Sequence, residues 1–141
     1  MIADEMIEAA IEEFFTFRRF FVAINLAGVS GELYGKYIRI CGGSDIQTET
    51  INAADKLGKL HGGPEIFTKE WKKIANNLKN AVKHFDSEND RYLELDAEDE
   101  ARAMIGDALT NHSKLDRTVT PTIQKFYDFG RDWSEKRDRI G

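Results

Sequence analysis

The groups best suited to chemistry in this chain lie together in one hexapeptide, Lys79-Asn80-Ala81-Val82-Lys83-His84. Asn80 and His84 are four residues apart, so on a helix their side chains can meet. A histidine gains and loses a proton near neutral pH, and a lysine offers a compact positive charge to a phosphate. Lys79, Asn80 and His84 are therefore the candidate catalytic residues, and Lys79 and Lys83 the candidate phosphate-binding residues. The lysines could hold a phosphate, and the histidine could exchange a proton beside it. The same spacing also fits a solvated helix end, where a histidine interacts favourably with the helix dipole. From spacing alone both readings stay open.

A helix from Thr68 to Phe85 would position this group. Thr68 is a good N-cap, and Trp71, Ile74, Ala75, Leu78, Val82 and Phe85 form one apolar face. Asn80 and His84 fall about 180° and 220° round the helix from Trp71, on the polar side, with Lys79 at the flank. Five lysines (69, 72, 73, 79, 83) stand against Glu70 between Lys69 and His84. Eight acids follow between Asp86 and Glu100, against Arg91 alone. A basic helix beside an acidic loop can bind phosphate on one side and repel it on the other; it can equally be self-neutralising surface.

The remaining chemistry-bearing residues are scattered. His61 precedes Gly62-Gly63 and reads as a loop residue; His112 reads as the last turn of a helix. Positions three before His61, His84 and His112 hold Gly58, Ala81 and Leu109, so the Glu-x-x-His pair of carboxylate-bridged metal bundles is missing. Glu32 and Lys36 are spaced for a helical ion pair. There is no glycine-rich phosphate loop and no Gly-x-Ser-x-Gly. Cys41 is the one cysteine, which excludes an intrachain disulfide and a cysteine-rich zinc site. The net charge of −5 disfavours a generic polyanion binder without excluding a local basic patch.

The 141 residues, 41% of them apolar, fit one domain at 1–133 with a charged, fraying tail at 134–141. Apolar residues recur at helical spacing from Ile2 to Phe15, with a turn expected at Thr16–Arg19. A central, very apolar helix is expected at Phe20–Ile40, where Ala27, Gly28, Ser30 and Gly31 permit close approach of a neighbour and Cys41-Gly42-Gly43 stops the chain. A short helix at Glu49–Leu60 is expected inside the variable stretch Gly42–Gly63. Arg91–Leu95 reads as extended. Asp96, with Asp99 three residues on, opens a fourth main helix, with Ala97, Ala101, Met104, Ile105, Ala108 and Leu109 on its apolar face. Thr120-Pro121 begins the last helix, whose apolar side is Ile123, Phe126, Tyr127 and Trp133. Leu26, Leu33, Trp71, Leu78, Met104 and Ile105 are expected in the core. The fold class is thus all-α, an up-and-down bundle of four main helices plus short extra ones. No signal peptide or membrane span is apparent, so a cytoplasmic location is expected.

Two segments together resemble the small bacterial HEPN-like proteins. Ala23-Ile24-Asn25-Leu26-Ala27-Gly28-Val29-Ser30-Gly31-Glu32-Leu33-Tyr34-Gly35-Lys36 resembles their second helix. Lys79-Asn80-Ala81-Val82-Lys83-His84 resembles their signature of arginine, a polar residue and, after a short gap, histidine, with lysine standing here at the arginine position. The acidic loop, the helix at Asp96–Asn111 and Thr120-Pro121 follow in the same order, so the likeness runs from about Ala10 to Phe126. It implies a helical bundle that forms a homodimer, with two motifs meeting in one composite site. It also implies a metal-independent endoribonuclease of a toxin–antitoxin or phage-defence system. His84 would transfer the proton of the RNA 2′-hydroxyl, and Asn80 would orient the histidine or the phosphate. RNA or a nucleotide, and a cognate antitoxin or nucleotidyltransferase, are the partners it implies. Other members of the family are non-catalytic modules that bind a nucleotide or a partner.

Overall fold

The structure, a computed structural model, describes residues 1–60 and 97–140. Among the described residues there are five α-helices and no strand: α1 (Ile2–Glu12), α2 (Phe20–Ile40), α3 (Ile46–Leu60), α4 (Ala97–Lys114) and α5 (Pro121–Ile140). The expected helix at Thr68–Phe85, the acidic loop, the extended Arg91–Leu95 and the Asp96 cap lie outside the described residues.

α2 packs against both α1 and α4, which makes it the central helix. Small residues set the contact, as Gly31 shows: a Cβ there would lie 3.5 Å from Ala108 Cα. Gly28 differs from expectation, because no described atom lies within 4 Å of its would-be Cβ. The buried line of α2 is Ala23, Ile24, Ala27, Ser30, Tyr34, Gly35 and Ile38. Leu26 and Leu33, expected in the core, are only partly buried against its edge, as is Met104, whereas Ile105 is fully buried. Trp71 and Leu78 lie outside the described residues. Phe21, Val22, Tyr37 and Ile40 are exposed, Ile40 by 71%. Apolar residues surround most of α2, but small ones occupy the tight side and several large ones face outward.

The break after α1 has a specific form. Residues Glu13–Phe17 make a π-helical turn, which ends at Arg18 with φ +52°. The wider turn lets two consecutive phenylalanines serve the core. Phe14 is buried and Phe15 packs against it edge-on, with ring centroids 5.1 Å apart. Phe14 also meets Phe20, Phe126 and Phe129 at 5.7, 6.1 and 5.7 Å, so this cluster joins the start of α2 and the middle of α5 to α1.

α2 stops in a Schellman motif. Gly42, at φ +82°, donates its N–H to the Arg39 carbonyl, and Gly43 donates to the Ile38 carbonyl at 2.9 Å. α3 then begins three residues earlier than the sequence pattern indicates, because Asp45 caps it: the Thr48 N–H donates to Asp45 Oδ1 at 2.7 Å. In α5, Thr120 Oγ1 accepts the Ile123 N–H at 3.3 Å and Pro121 takes the first helical position. Ile123 and Phe126 are buried, whereas Tyr127 and Trp133 are exposed. The helix does not fray at Ser134 but continues through Ile140. The ring of Trp133 lies under the guanidiniums of Arg102 and Arg137, at 4.1 and 5.1 Å.

Candidate functional site

Lys79, Asn80, Lys83 and His84, together with His61, lie outside the described residues. Of the three histidines, His112 alone is described, and it is not a solvated helix end. Its ring is only 2% exposed and meets the ring of Tyr34 edge-on at 5.6 Å. The reason lies in the phase of α4. Ala101, Ile105, Ala108 and Leu109 form the face buried against α2, and Asn111 and His112 continue it into the last turn.

Around His112 the helices bring together a polar cluster from four parts of the chain. Tyr34, itself fully buried, donates its hydroxyl to Asp4 Oδ1 at 2.6 Å. Arg117, from the connection between α4 and α5, donates Nε to the same oxygen at 2.8 Å and a terminal nitrogen to Asp4 Oδ2. Ser30 donates its hydroxyl to the Ala3 carbonyl at 2.8 Å. Nearby, the Thr120 hydroxyl donates to Glu8 Oε1. His112 Nδ1 is buried and has no hydrogen-bond partner.

These contacts fix the protonation states. Burial alone would raise the Asp4 carboxyl, but the hydrogen bonds from Arg117 and Tyr34 and the Arg117 charge outweigh it and hold Asp4 below the usual range. Burial, and then the hydrogen bond to Asp4 and its charge, push the Tyr34 phenol up, so it stays protonated and donates. Burial lowers His112 below its ordinary value, against the opposing pull of Asp4, the Thr118 backbone and Glu8. At neutral pH the ring is therefore uncharged.

A buried carboxylate, Asp45, organises the other end of α2. It pairs with Arg39 while capping α3. Asn111 links three elements there: its Oδ1 accepts the Ile46 N–H at 2.8 Å and its Nδ2 donates to the Gly31 carbonyl at 3.2 Å. Lys114 closes the junction by donating to the Ser44 carbonyl at 2.9 Å and pairing with Glu49 at 2.5 Å.

The described surface also carries an open groove of about 560 Å³ between α1 and α5, lined among others by Glu5, Glu8, Glu12, Phe15 and Lys125. Lys125 extends over the Phe15 ring at 4.8 Å. No group of three His, Cys, Asp or Glu side chains among the described residues could hold a metal ion. No described helix is long and apolar enough to cross a membrane.

Chemically, the Asp4–Tyr34–Arg117 group is internally satisfied. The two Asp4 oxygens accept from the Tyr34 hydroxyl and from two N–H groups of Arg117, which suits holding α1, α2 and the α4–α5 connection together. Helical periodicity does not reveal it: Asp4 reads as a first-turn acid and Arg117 as a loop cation. The cue available in the sequence is Tyr34 itself, a hydroxyl placed on the buried line of α2, which requires a partner. Comparison of the chain with models of known protein families, with curated proteins and with solved structures finds no match.

Proposed function

We propose that this chain is a HEPN-like, RNA-directed protein that acts as a metal-independent endoribonuclease in a toxin–antitoxin or phage-defence setting. The observation that carries the reading is the hexapeptide Lys79-Asn80-Ala81-Val82-Lys83-His84, on a chain whose stretch Ala23–Lys36, acidic loop and Thr120-Pro121 resemble segments of that group in sequence. The central α2, built on small residues, agrees with the bundle the resemblance implies. In this reading two copies associate and their motifs meet in one site. His84 takes the proton from a ribose 2′-hydroxyl as the 2′-oxygen bonds to the adjacent phosphorus. The bond from phosphorus to the 5′-oxygen breaks, and that oxygen takes up a proton. The products are a 2′,3′-cyclic phosphate and a 5′-hydroxyl. Lys79 and Lys83 balance the charge that builds on the phosphate oxygens, and Asn80 orients His84 or the phosphate.

Lys79 favours a second reading. Lysine gives charge without the planar two-pronged contact of arginine, so it stabilises the transition state less well. A non-catalytic dimeric module that binds a nucleotide or a partner follows if that loss is complete. One assay separates the two: purified wild type, Lys79→Arg and His84→Ala incubated with varied RNAs in the presence of EDTA. The ribonuclease reading expects cleavage by the wild type, a gain in Lys79→Arg of about tenfold for each 1.4 kcal/mol of added transition-state binding, and none in His84→Ala. Three equally inert proteins leave the binding module.

A further inference from the structure

We infer that the six-residue connection Leu115–Thr120 is an acid-released latch on the last helix. Two side chains of this connection fasten it to α1: Arg117 grips the Asp4 carboxylate, and Thr120 donates to Glu8. Beneath it lies His112, with its ring sealed from water and its Nδ1 unpartnered. The Thr118 backbone, hydrogen-bonded to the His112 ring, and Leu115, packed on the core, also hold the connection. Asp116 adopts φ +56°, where a non-glycine residue is strained, and Val119 is 48% exposed.

An uncharged ring suits this site, because an acceptor nitrogen against an aromatic edge needs no counter-charge. A proton on Nδ1 changes that. It creates a buried N–H with no acceptor and places a cation in a space that already holds the Arg117 guanidinium. Among the described residues, the charged and titratable groups facing His112 are Asp4 and Glu8 from α1, Tyr34 from α2 and Arg117 from the connection. The two carboxylates attract the proton, but Asp4 is already held by Arg117 and Tyr34, and Glu8 by Thr120. Neither accepts a hydrogen bond from Nδ1 while the connection is closed.

Opening the connection wets the ring without separating α1, α2 and α4, whose contacts lie elsewhere along the helices. His112 sits below its ordinary value in the closed form because of burial, and returns to about 6.5 when wet. The open form thus binds the proton more tightly. The closed form is fully favoured above about pH 6.5 and loses ground as the pH falls below it, by up to about tenfold per pH unit. Release frees the start of α5 and loosens the cover that Phe126 and Phe129 place on Phe14 and Phe15.

The test is amide hydrogen exchange on the full chain at pH 7.5 and 5.0, corrected for the intrinsic pH dependence of exchange. Amides of residues 115–126 should lose protection at pH 5.0, by at most about tenfold for each pH unit below 6.5, while those of 7–11 and 23–34 keep theirs. His112→Gln, which cannot titrate, should remove the acid response. Equal loss across the core and the connection, no loss at all, or an undiminished response in His112→Gln overturns the latch. If His112→Gln does not fold, an NMR titration of the wild-type His112 ring keeps the question decidable. Titration at the ordinary value with unchanged exchange in 115–126 also overturns it.

Discussion

Asp4 is the residue on which the described polar contacts converge. Tyr34 and Arg117 both donate to it, and the amino terminus lies 3.6 Å from Oδ2. Replacing Asp4 with alanine leaves the fully buried Tyr34 hydroxyl without that acceptor, which costs about 1–3 kcal/mol. Tyr34→Phe removes the donor instead and leaves the Asp4–Arg117 pair standing, so about 1 kcal/mol is the expected loss. Urea denaturation of the two variants should rank them in that order; a larger loss in Tyr34→Phe would contradict it. The sign of the pH effect follows from the lowered Asp4 carboxyl. Its contribution is present above the ordinary carboxylate value of about 3.9 and fades as the pH falls through the folded value. This separates it from His112, whose effect begins near 6.5. Little of this was legible beforehand. Asp4, Tyr34 and Arg117 are far apart in sequence, and hydropathy does not pair side chains across such distances. His112 reads as a capping histidine until the phase of α4 turns it inward.

At the level of elements the sequence pattern performed better. The end of α2 and the start of α5 follow from Cys41-Gly42-Gly43 and Thr120-Pro121, local signals whose hydrogen bonds are made within the same few residues. α3 starts before its apolar periodicity does because Asp45 acts as a cap and is buried against Arg39 and Gly35, a tertiary arrangement invisible to periodicity. Gly35 is the more demanding glycine. A Cβ there would lie 2.9 Å from Asp45 Oδ2 and 3.4 Å from Asp45 Cβ. Gly35→Ala gains helix propensity, worth about 0.5–1 kcal/mol, but displaces the Asp45 cap. Overpacking of this kind costs about 1–3 kcal/mol, so a net loss of stability and some loss of helix at α3 are expected. Gly28→Ala gains the same propensity and meets no described atom within 4 Å. Thermal unfolding followed by circular dichroism should lower the midpoint for Gly35→Ala and raise it for Gly28→Ala. The same direction in both would show that the cap is not under steric control.

At the scale of the whole molecule, α1, α2, α4 and α5 share one core that runs from Ala3 to Phe126, with a phenylalanine cluster at one end and the Asp4 network near the other. The all-α class was legible because the apolar residues of these helices recur every three or four positions. The outward-facing Phe21, Val22 and Tyr37 were not separable from core residues on that basis, since a helix apolar on most sides does not announce which side its neighbours take. The hexapeptide Lys79–His84, by contrast, was read from residue types and spacing and lies outside the described residues. The most direct measurement of its role is the end chemistry of RNA cut in EDTA by the purified wild-type chain. The proposed mechanism predicts 2′,3′-cyclic phosphate and 5′-hydroxyl ends, absent from a parallel reaction with His84→Ala. Cleavage that stops in EDTA, ends bearing 5′-phosphate, or the same ends from His84→Ala would contradict it.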